Sequence, residues 1–160
     1  MSKFTFFWKG PFSQWQKSKF IVNEIEYCCA EQYMMAEKAR LFKDDETLEK
    51  IMKATHPKEH KALGREVNNF DLEKWNTVAK DIVYNGNFSK FTQNEDLKNI
   101  LLATGDTELV EASPYDRIWG IGMSEDNPDI NDKTKWKGTN WLGEVLTRVK
   151  LDIIVLETVK

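Results

Sequence analysis

The chain has few of the features that mark secreted or membrane-spanning proteins. It holds only two cysteines, Cys28 and Cys29, which are adjacent and therefore badly placed to bridge each other. This usage argues for a reducing compartment, so we expect a cytoplasmic protein. The N-terminus lacks an apolar signal segment, and the longest apolar runs, such as residues 153–156, are far too short to cross a membrane.

A strong excess of charge of one sign is also missing. The formal net charge is -3, which gives no overall attraction to nucleic acid or to an anionic membrane. The length of 160 residues suffices for one domain with a core and is too short for two ordinary domains. We therefore predict a single domain over residues 1–160, with no membrane association and no stable protein partner.

The motifs of most common enzyme classes are absent. There is no Gly-x-Ser-x-Gly and no phosphate-binding P-loop, and no third glycine completes a Rossmann fingerprint. His56 and His60 have the i,i+4 spacing of zinc-binding helices, but Pro57 follows the first histidine where those helices have glutamate. No second cluster of ligands is evident in the sequence, so we predict no metal site.

The pattern of apolar, helix-forming and turn residues predicts an α+β fold, mostly helical with a few short strands. Turn signals and short aromatic or β-branched runs predict strands at 4–8, 20–22, 25–28 and 107–112. Capping residues and helical periodicity predict helices at 30–42, after Asp44, at 57–67, after Asp71, at 97–103 capped by Asn94, and from Thr139 or Asn140 to about Val149. Residues 115–138 are rich in Gly, Asp, Asn and Pro and are predicted to be mostly loop.

One helix carries the strongest candidates for chemistry. Glu31 and Lys38 are seven residues apart, which places them on nearly the same helix face, with Met34 and Met35 between them. An apolar surrounding disfavours the ammonium form, so the pKa of Lys38 would fall and a neutral amine nucleophile would become available. The alternative is an ordinary solvated lysine on an amphipathic helix, which is more common for this residue type.

Glycine-rich segments near the C-terminus are candidates for ligand binding. In 119–122 (Trp-Gly-Ile-Gly), which follows Asp116, the glycines allow close approach of the backbone to a ligand, or else a tight loop over a core tryptophan. Segment 136–143 leads through a glycine turn into a helix start, which can hold a phosphate or can simply be an N-cap. Lys61, Arg65 and Lys90 could also hold phosphate, although surface charges are the more common alternative.

A series of short segments extends over nearly the whole chain, and the series is specific although no single member is. Its members are Phe7-Trp8, 12–15 (Phe-Ser-Gln-Trp), 30–42 (Ala-Glu-Gln-Tyr-Met-Met-Ala-Glu-Lys-Ala-Arg-Leu-Phe), 62–67 (Ala-Leu-Gly-Arg-Glu-Val), Trp75, Lys90-Phe91 with Gln93-Asn94, 109–114 (Leu-Val-Glu-Ala-Ser-Pro), 116–122 (Asp-Arg-Ile-Trp-Gly-Ile-Gly) and 136–143 (Trp-Lys-Gly-Thr-Asn-Trp-Leu-Gly). This series closely resembles the NADAR domains, also called YbiA-like domains.

The resemblance implies an α+β fold and hydrolysis of an N-glycosidic bond at ribose C1, without a metal or a bound cofactor. Two substrate types are implied, and the sequence does not choose between them. One is a phosphoribosylamino-pyrimidine intermediate of riboflavin biosynthesis, and the other is ADP-ribose attached to guanine, as a nucleotide or in nucleic acid. The implied partner is therefore a small nucleotide-like substrate or ADP-ribosylated nucleic acid.

The resemblance also assigns roles to residues. Lys38 matches the lysine that attacks ribose C1 to give a Schiff base, Glu31 matches the nearby acid, and either Glu31 or Asp116 would protonate the leaving nitrogen. Gln32 replaces a histidine that is frequent in the family. The residues assigned to substrate binding are Phe12, Ser13, Arg65, Trp75, Gln93, Trp119, Gly120, Gly122, Asn140 and Gly143.

Two other classes of function compete with the enzyme. A non-catalytic module that binds ADP-ribose or an NAD derivative would use the same tryptophans, glycines and helix start without needing Lys38. A nucleic-acid-binding accessory domain would need a basic patch that the sequence does not display. Because Lys38 is present, we favour the N-glycosidase.

Overall fold

The computed structural model describes residues 3–159 and divides the chain into two units. We call residues 14–94 the middle unit, and residues 3–13 together with 95–159 the terminal unit. The middle unit contains β2 (Phe20–Val22), β3 (Ile25–Tyr27), α1 (Ala30–Leu41), α2 (Asp45–Lys53), α3 (Pro57–Gly64) and α4 (Leu72–Gln93). The terminal unit contains β1 (Phe4–Phe7), α5 (Glu95–Leu102), β4 (Glu108–Glu111), a short 3₁₀ helix (Lys133–Lys135) and α6 (Trp141–Thr158). The predicted α+β class, mostly helical with a few short strands, is confirmed.

The middle unit is built around α1, which packs against α2, α3 and α4. Ala36 and Ala39 are fully buried on α1, and their small side chains let neighbouring helices approach closely. Asp71 caps α4 as predicted, because its carboxylate accepts a hydrogen bond from the backbone N–H of Lys74. α3 ends at Gly64, three residues before the predicted end, since the N–H groups of Arg65 and Glu66 close tight turns onto Ala62 and Leu63.

The hairpin of β2 and β3 leads directly into α1. Phe20 pairs with Tyr27, and both side chains are buried. The predicted strand end at Cys28 is one residue too late, because the Cys28 N–H donates to the side-chain oxygen of Gln32 at 2.8 Å instead of continuing the ladder. Gln32 also donates to the carbonyl of Ile51. This glutamine therefore fastens the start of α1 to α2.

The terminal unit pairs β1 and β4 in parallel, from Phe4 opposite Glu108 to Phe7 opposite Glu111, and α6 packs against β4. Its core includes Leu109, Val110, Ile121, Leu142, Leu146 and Val149. α6 continues nine residues beyond its predicted end at Val149. Within the extension, Lys150 is buried and donates to the Thr104 hydroxyl at 2.9 Å and the Thr107 carbonyl at 2.5 Å, and Ile153 is buried as well.

Asn94 was predicted to cap α5, but its side chain does something different. Its amide nitrogen donates to the carbonyl of Lys90 at 2.8 Å and to that of Lys19 at 3.0 Å. Asn94 therefore closes the C-terminal end of α4. Within residues 3–159, none of the helices has both the length and the apolar character that a membrane crossing requires.

Candidate active site

Lys38 lies on α1 with its amine against two aromatic rings. Its Nζ is 4.6 Å from the centroid of Phe70 and 5.8 Å from that of Trp75. Burial lowers the pKa of Lys38, because partial removal of water disfavours the ammonium. The sequence predicted an apolar environment made by Met34 and Met35, and the structure places two further apolar groups there, the rings of Phe70 and Trp75 from outside α1.

Two charged residues act on Lys38 in opposite directions. The negative charge of Glu31 raises the pKa of Lys38, and the positive charge of Arg65 lowers it further below its usual range. Glu31 is 7% exposed and sits in the first turn of α1, where the helix dipole favours a carboxylate. Arg65 is exposed and directly follows α3. The predicted pair Glu31 and Lys38 is therefore coupled electrostatically, and Arg65 belongs to the same environment.

Trp75 and Gln93 both lie on α4 but at opposite ends. Trp75 is buried near the first turn beside Lys38, whereas Gln93 is 18 residues further along, roughly 27 Å at the rise of an α-helix. The Gln93 side chain accepts from the N–H of Ile21 and donates to the carbonyl of Ile21, both at 2.8 Å. These bonds hold the free edge of β2, so Gln93 has a structural task apart from the Lys38 group.

Lys90 is not placed to hold a phosphate at the surface. Its side chain is fully buried, and burial lowers its pKa to about 7. The suggestion that this residue is a phosphate ligand or an exposed charge is therefore wrong. Lys90 lies on α4, where polar and apolar residues are mixed, so the sequence did not indicate that its side chain faces the core.

Asp116 organises the loop that follows β4. One of its carboxylate oxygens accepts hydrogen bonds from the N–H groups of Ile118 and Trp119, each at 2.9 Å, while its own N–H donates to the Ser113 hydroxyl. This is the local bonding by which Asp stabilises a turn. The carboxylate thereby fixes the position of Trp119, which also packs edge-on against Trp141 at 5.5 Å.

The glycines of this loop are explained by backbone packing. Gly122 has φ of +67°, a conformation that favours glycine. A Cβ on Gly120 would stand 3.0 Å from the carbonyl oxygens of Asp116 and Glu111. The tight-loop interpretation therefore accounts for both glycines, and their contact with a substrate stays a prediction.

The start of α6 is pinned to β4 by Asn140 and Gly143. Asn140 has a left-handed backbone with φ of +54°, and its side chain makes no cap bond. Instead it accepts from the N–H of Glu111 at 2.9 Å and donates to the carbonyl of Leu109 at 3.0 Å. A Cβ on Gly143 would overlap that same Leu109 carbonyl. The expectation that Asn140 caps α6 through its side chain is thus corrected.

Phe12 and Ser13 lie in the loop after β1. Phe12 is buried and packs edge-on against Phe7 with centroids 5.6 Å apart. The N–H of Ser13 donates to the carbonyl of Gly10 at 2.9 Å. Phe12 is thus a core residue of the terminal unit, and any contact of either residue with a substrate stays a prediction.

Within each unit the structure gathers part of the predicted set. In the middle unit Glu31, Lys38, Arg65 and Trp75 share one environment, to which Phe70 must be added. Sequence reasoning missed Phe70, whose only signal was an aromatic residue just before the helix-capping Asp71.

An open cleft of about 390 Å³ adjoins the end of α1, but none of the predicted site residues lines it. Its lining residues are Leu41, Phe42, Lys43, Asn69, Asp71 and Lys74.

Comparisons with known proteins agree with these features. The NADAR domain model matches residues 6–154, so the chain belongs to the NADAR domain family. It is 42% identical over 131 residues to Protein irg-1 of Caenorhabditis elegans, covering 81% of this chain and 62% of that protein. It is 44% identical over 144 residues to N-glycosidase R617 of Acanthamoeba polyphaga mimivirus, covering 87% and 85%.

A plant protein and a solved structure extend the comparison. Riboflavin biosynthesis protein PYRR of Arabidopsis thaliana is 32% identical over 111 residues, which cover 67% of this chain and 17% of that protein. The NMR structure of the Escherichia coli protein YbiA superimposes with a TM-score of 0.81 at 24% identity, covering 99% of this chain and 89% of that one. The family predicted from the sequence is confirmed, and so is the YbiA-like fold.

Proposed function

We propose that this protein is an N-glycosidase, a hydrolase that cleaves the bond between ribose C1 and the nitrogen of a base-like group. The observation that carries the proposal is the environment of Lys38, whose amine lies against Phe70 and Trp75 and has a lowered pKa. The name of the viral relative R617 supports the same activity. A module that only binds its ligand has no need for such an amine, so the binding-module alternative is not favoured.

In the proposed reaction, the neutral Nζ of Lys38 attacks ribose C1. The C1–N bond breaks, its electron pair goes to the departing nitrogen, and that nitrogen takes up a proton. The attacking amine gives up one proton, which goes to the departing nitrogen. The nitrogen lone pair then expels the ring oxygen, the C1–O bond breaks, the ring oxygen takes up a proton, and a protonated Schiff base joins Lys38 to C1. Water then adds to the imine, which releases the sugar and restores the amine.

We assign the proton transfer to Glu31 rather than to Asp116. Glu31 interacts electrostatically with Lys38, so a proton leaving the amine has a nearby acceptor that can pass it to the departing nitrogen. Asp116 already accepts two backbone hydrogen bonds through one oxygen. Its proposed task is to hold the loop that carries Trp119, one of the predicted binding residues.

The proposed substrate is nucleotide-like, either a phosphoribosylamino-pyrimidine of the riboflavin pathway or ADP-ribose on guanine. The name of the plant relative PYRR supports the first type. Cytoplasmic location and action as one domain over residues 1–160 are further parts of this proposal, supported by the two free cysteines and by the family match across both units.

The test is to incubate the protein with each substrate type and to identify the released base and sugar by mass spectrometry. Borohydride added during turnover reduces a Schiff base to a stable amine, so we expect a sugar adduct on Lys38. Cleavage without any adduct would contradict the covalent route, and binding of both compounds without cleavage would favour the binding module. The reaction should continue in excess chelator, because no metal takes part in the proposed chemistry.

A further inference from the structure

A second group of reactive side chains lies at the start of α1. It consists of Cys28, Cys29 and His60, whose sulfur and imidazole nitrogen atoms all lie within 4.8 Å of one another. The Sγ of Cys29 is 3.6 Å from Nδ1 of His60. Cys29 is the N-cap of α1 and precedes Lys38 by nine residues, roughly 13 Å along the helix. The cluster is therefore separate from the proposed catalytic amine.

The orientation of His60 is set by a backbone carbonyl. Its Nε2 lies 2.8 Å from the carbonyl oxygen of Ala54, which can only accept a hydrogen bond. Nε2 therefore carries the proton, and Nδ1 presents its lone pair towards the sulfur of Cys29. A histidine that donates to a carbonyl through one nitrogen and offers the other is the arrangement found at metal sites.

The sequence predicted no metal site because His56 and His60 lack a second cluster of ligands, but the structure brings His60 to the two cysteines. We propose that Cys28, Cys29 and His60 form a binding site for a soft divalent cation such as Zn²⁺. Two sulfurs and one imidazole are ligands that Zn²⁺ prefers, at about 2.3 Å and 2.1 Å respectively. Tetrahedral coordination at these lengths places neighbouring ligand atoms roughly 3.5–3.8 Å apart. The 3.6 Å distance between Sγ of Cys29 and Nδ1 of His60 already lies in this range. Cys28 is only partly buried, so its side chain can rotate to bring its sulfur within the same distance of the other two atoms.

The fourth position has two candidates. The carbonyl oxygen of Thr55 lies 3.9 Å from Sγ of Cys28, at the more accessible side of the cluster. Water can reach the same side, because Cys28 is partly exposed. An open fourth position of this kind would give the cation a path of entry.

Charge balance also suits the site. On binding, the two thiols release their protons to solvent while the imidazole stays neutral, so a divalent cation and two thiolates form a neutral group. A neutral metal group suits this place because Lys90 is fully buried and interacts electrostatically with Cys29, so a group with a net positive charge would be repelled by the Lys90 ammonium. Burial raises the pKa of the Cys29 thiol to about 12, so the thiol gives up its proton only when the cation replaces it. The ion would hold the segment before α1 to α3, and this role does not depend on the proposed enzyme activity.

The direct test is to titrate metal-free protein with Zn²⁺ against a chromophoric chelator, and in parallel with Cd²⁺ while recording ultraviolet absorption. We expect one ion per chain and a thiolate-to-cadmium charge-transfer band. The whole chain has only two cysteines, so Cys28 and Cys29 are the sole source of that band. Failure to bind Zn²⁺ at one per chain would overturn the proposal.

Variants decide whether these three residues are the ligands. Cys29→Ser and His60→Gln should each weaken Zn²⁺ binding at least about tenfold. The matched control is His56→Asn, which replaces the other histidine while keeping a side chain that can cap α3, and it should leave the affinity unchanged. Unchanged affinity in Cys29→Ser would overturn the assignment.

A measurement on the wild type keeps the proposal testable if a variant does not fold. Zn²⁺ should slow alkylation of both cysteines, as peptide mass spectrometry would report. Equal alkylation rates with and without one equivalent of Zn²⁺ would refute the site.

Discussion

The face of α1 and the segment 113–143 carry most of the predicted site residues, yet their polar groups behave differently. On α1, the Lys38 amine lies against aromatic rings and feels the charges of Glu31 and Arg65. In 113–143, the side chains of Asp116 and Asn140 are bonded to backbone groups of their own unit. The family motifs therefore contain both residues with reactive side chains and residues whose side chains bond to the backbone. Only the structure shows which residue is of which kind.

Lys38→Arg tests the chemical role assigned to the face of α1. Arginine keeps a positive charge but is always protonated and cannot act as a nucleophile, so we expect turnover to fall at least about a thousandfold while the fold is retained. Single-turnover assays and circular dichroism would measure both. The matched control is Lys74→Arg, since Lys74 also lies by a ring, at 5.9 Å from Phe42, and should keep full turnover. An active Lys38→Arg variant would contradict the assignment of Lys38 as the nucleophile.

A smaller effect should separate the two carboxylates. Glu31→Gln removes the proposed proton carrier, so kcat should drop about a hundredfold or more. Asp116→Asn keeps an oxygen that can accept from Ile118 and Trp119, so we expect a loss below about tenfold. Steady-state kinetics of the two variants side by side would decide the matter. The reverse order of losses would make Asp116 the acid and Glu31 the scaffold residue.

Gly143→Ala tests whether the 113–143 segment is scaffold. The added Cβ would overlap the Leu109 carbonyl on β4, so the free energy of unfolding in urea should fall by about 2–3 kcal/mol. Gly64→Ala is the control, because the new methyl group meets the flexible end of Met35, which can move, and the loss should stay near or below about 1 kcal/mol. Equal stability of wild type and Gly143→Ala would mean that α6 does not need its close contact with β4.

Short-range features of the fold could be predicted from the sequence, and long-range ones could not. The hairpin of β2 and β3 and the cap at Asp71 depend on neighbours a few residues away. The burial of Lys150 on α6 is a long-range feature, because its amine bonds to Thr104 and Thr107, more than 40 residues earlier, and no local pattern reveals these partners.

The candidate site divides in the same way. Glu31 and Lys38 could be paired because one helix carries both of them. Phe70 meets Lys38 only through the packing of separate segments, so sequence spacing gave no indication of it. Gln93 was assigned by family resemblance alone, and its bonds to Ile21 became visible only in the structure.

Arg65 was predicted to bind phosphate, but its positive charge also lowers the pKa of Lys38. Burial is the main cause of the lowered pKa of Lys38, and the Arg65 charge lowers it further. Arg65→Gln should therefore raise that pKa, so the rise of kcat with pH should move to higher pH. Arg65→Lys keeps the charge and should leave the profile in place. The shift should be small and should shrink in added salt, because Arg65 is exposed and water and ions screen its charge.

If Arg65 only bound phosphate, Arg65→Gln would raise the KM for phosphorylated substrate and would leave the pH profile of kcat in place. Measuring kcat and KM from neutral to alkaline pH for both variants separates these roles, and an unmoved profile in Arg65→Gln would take Arg65 out of the electrostatic environment of Lys38.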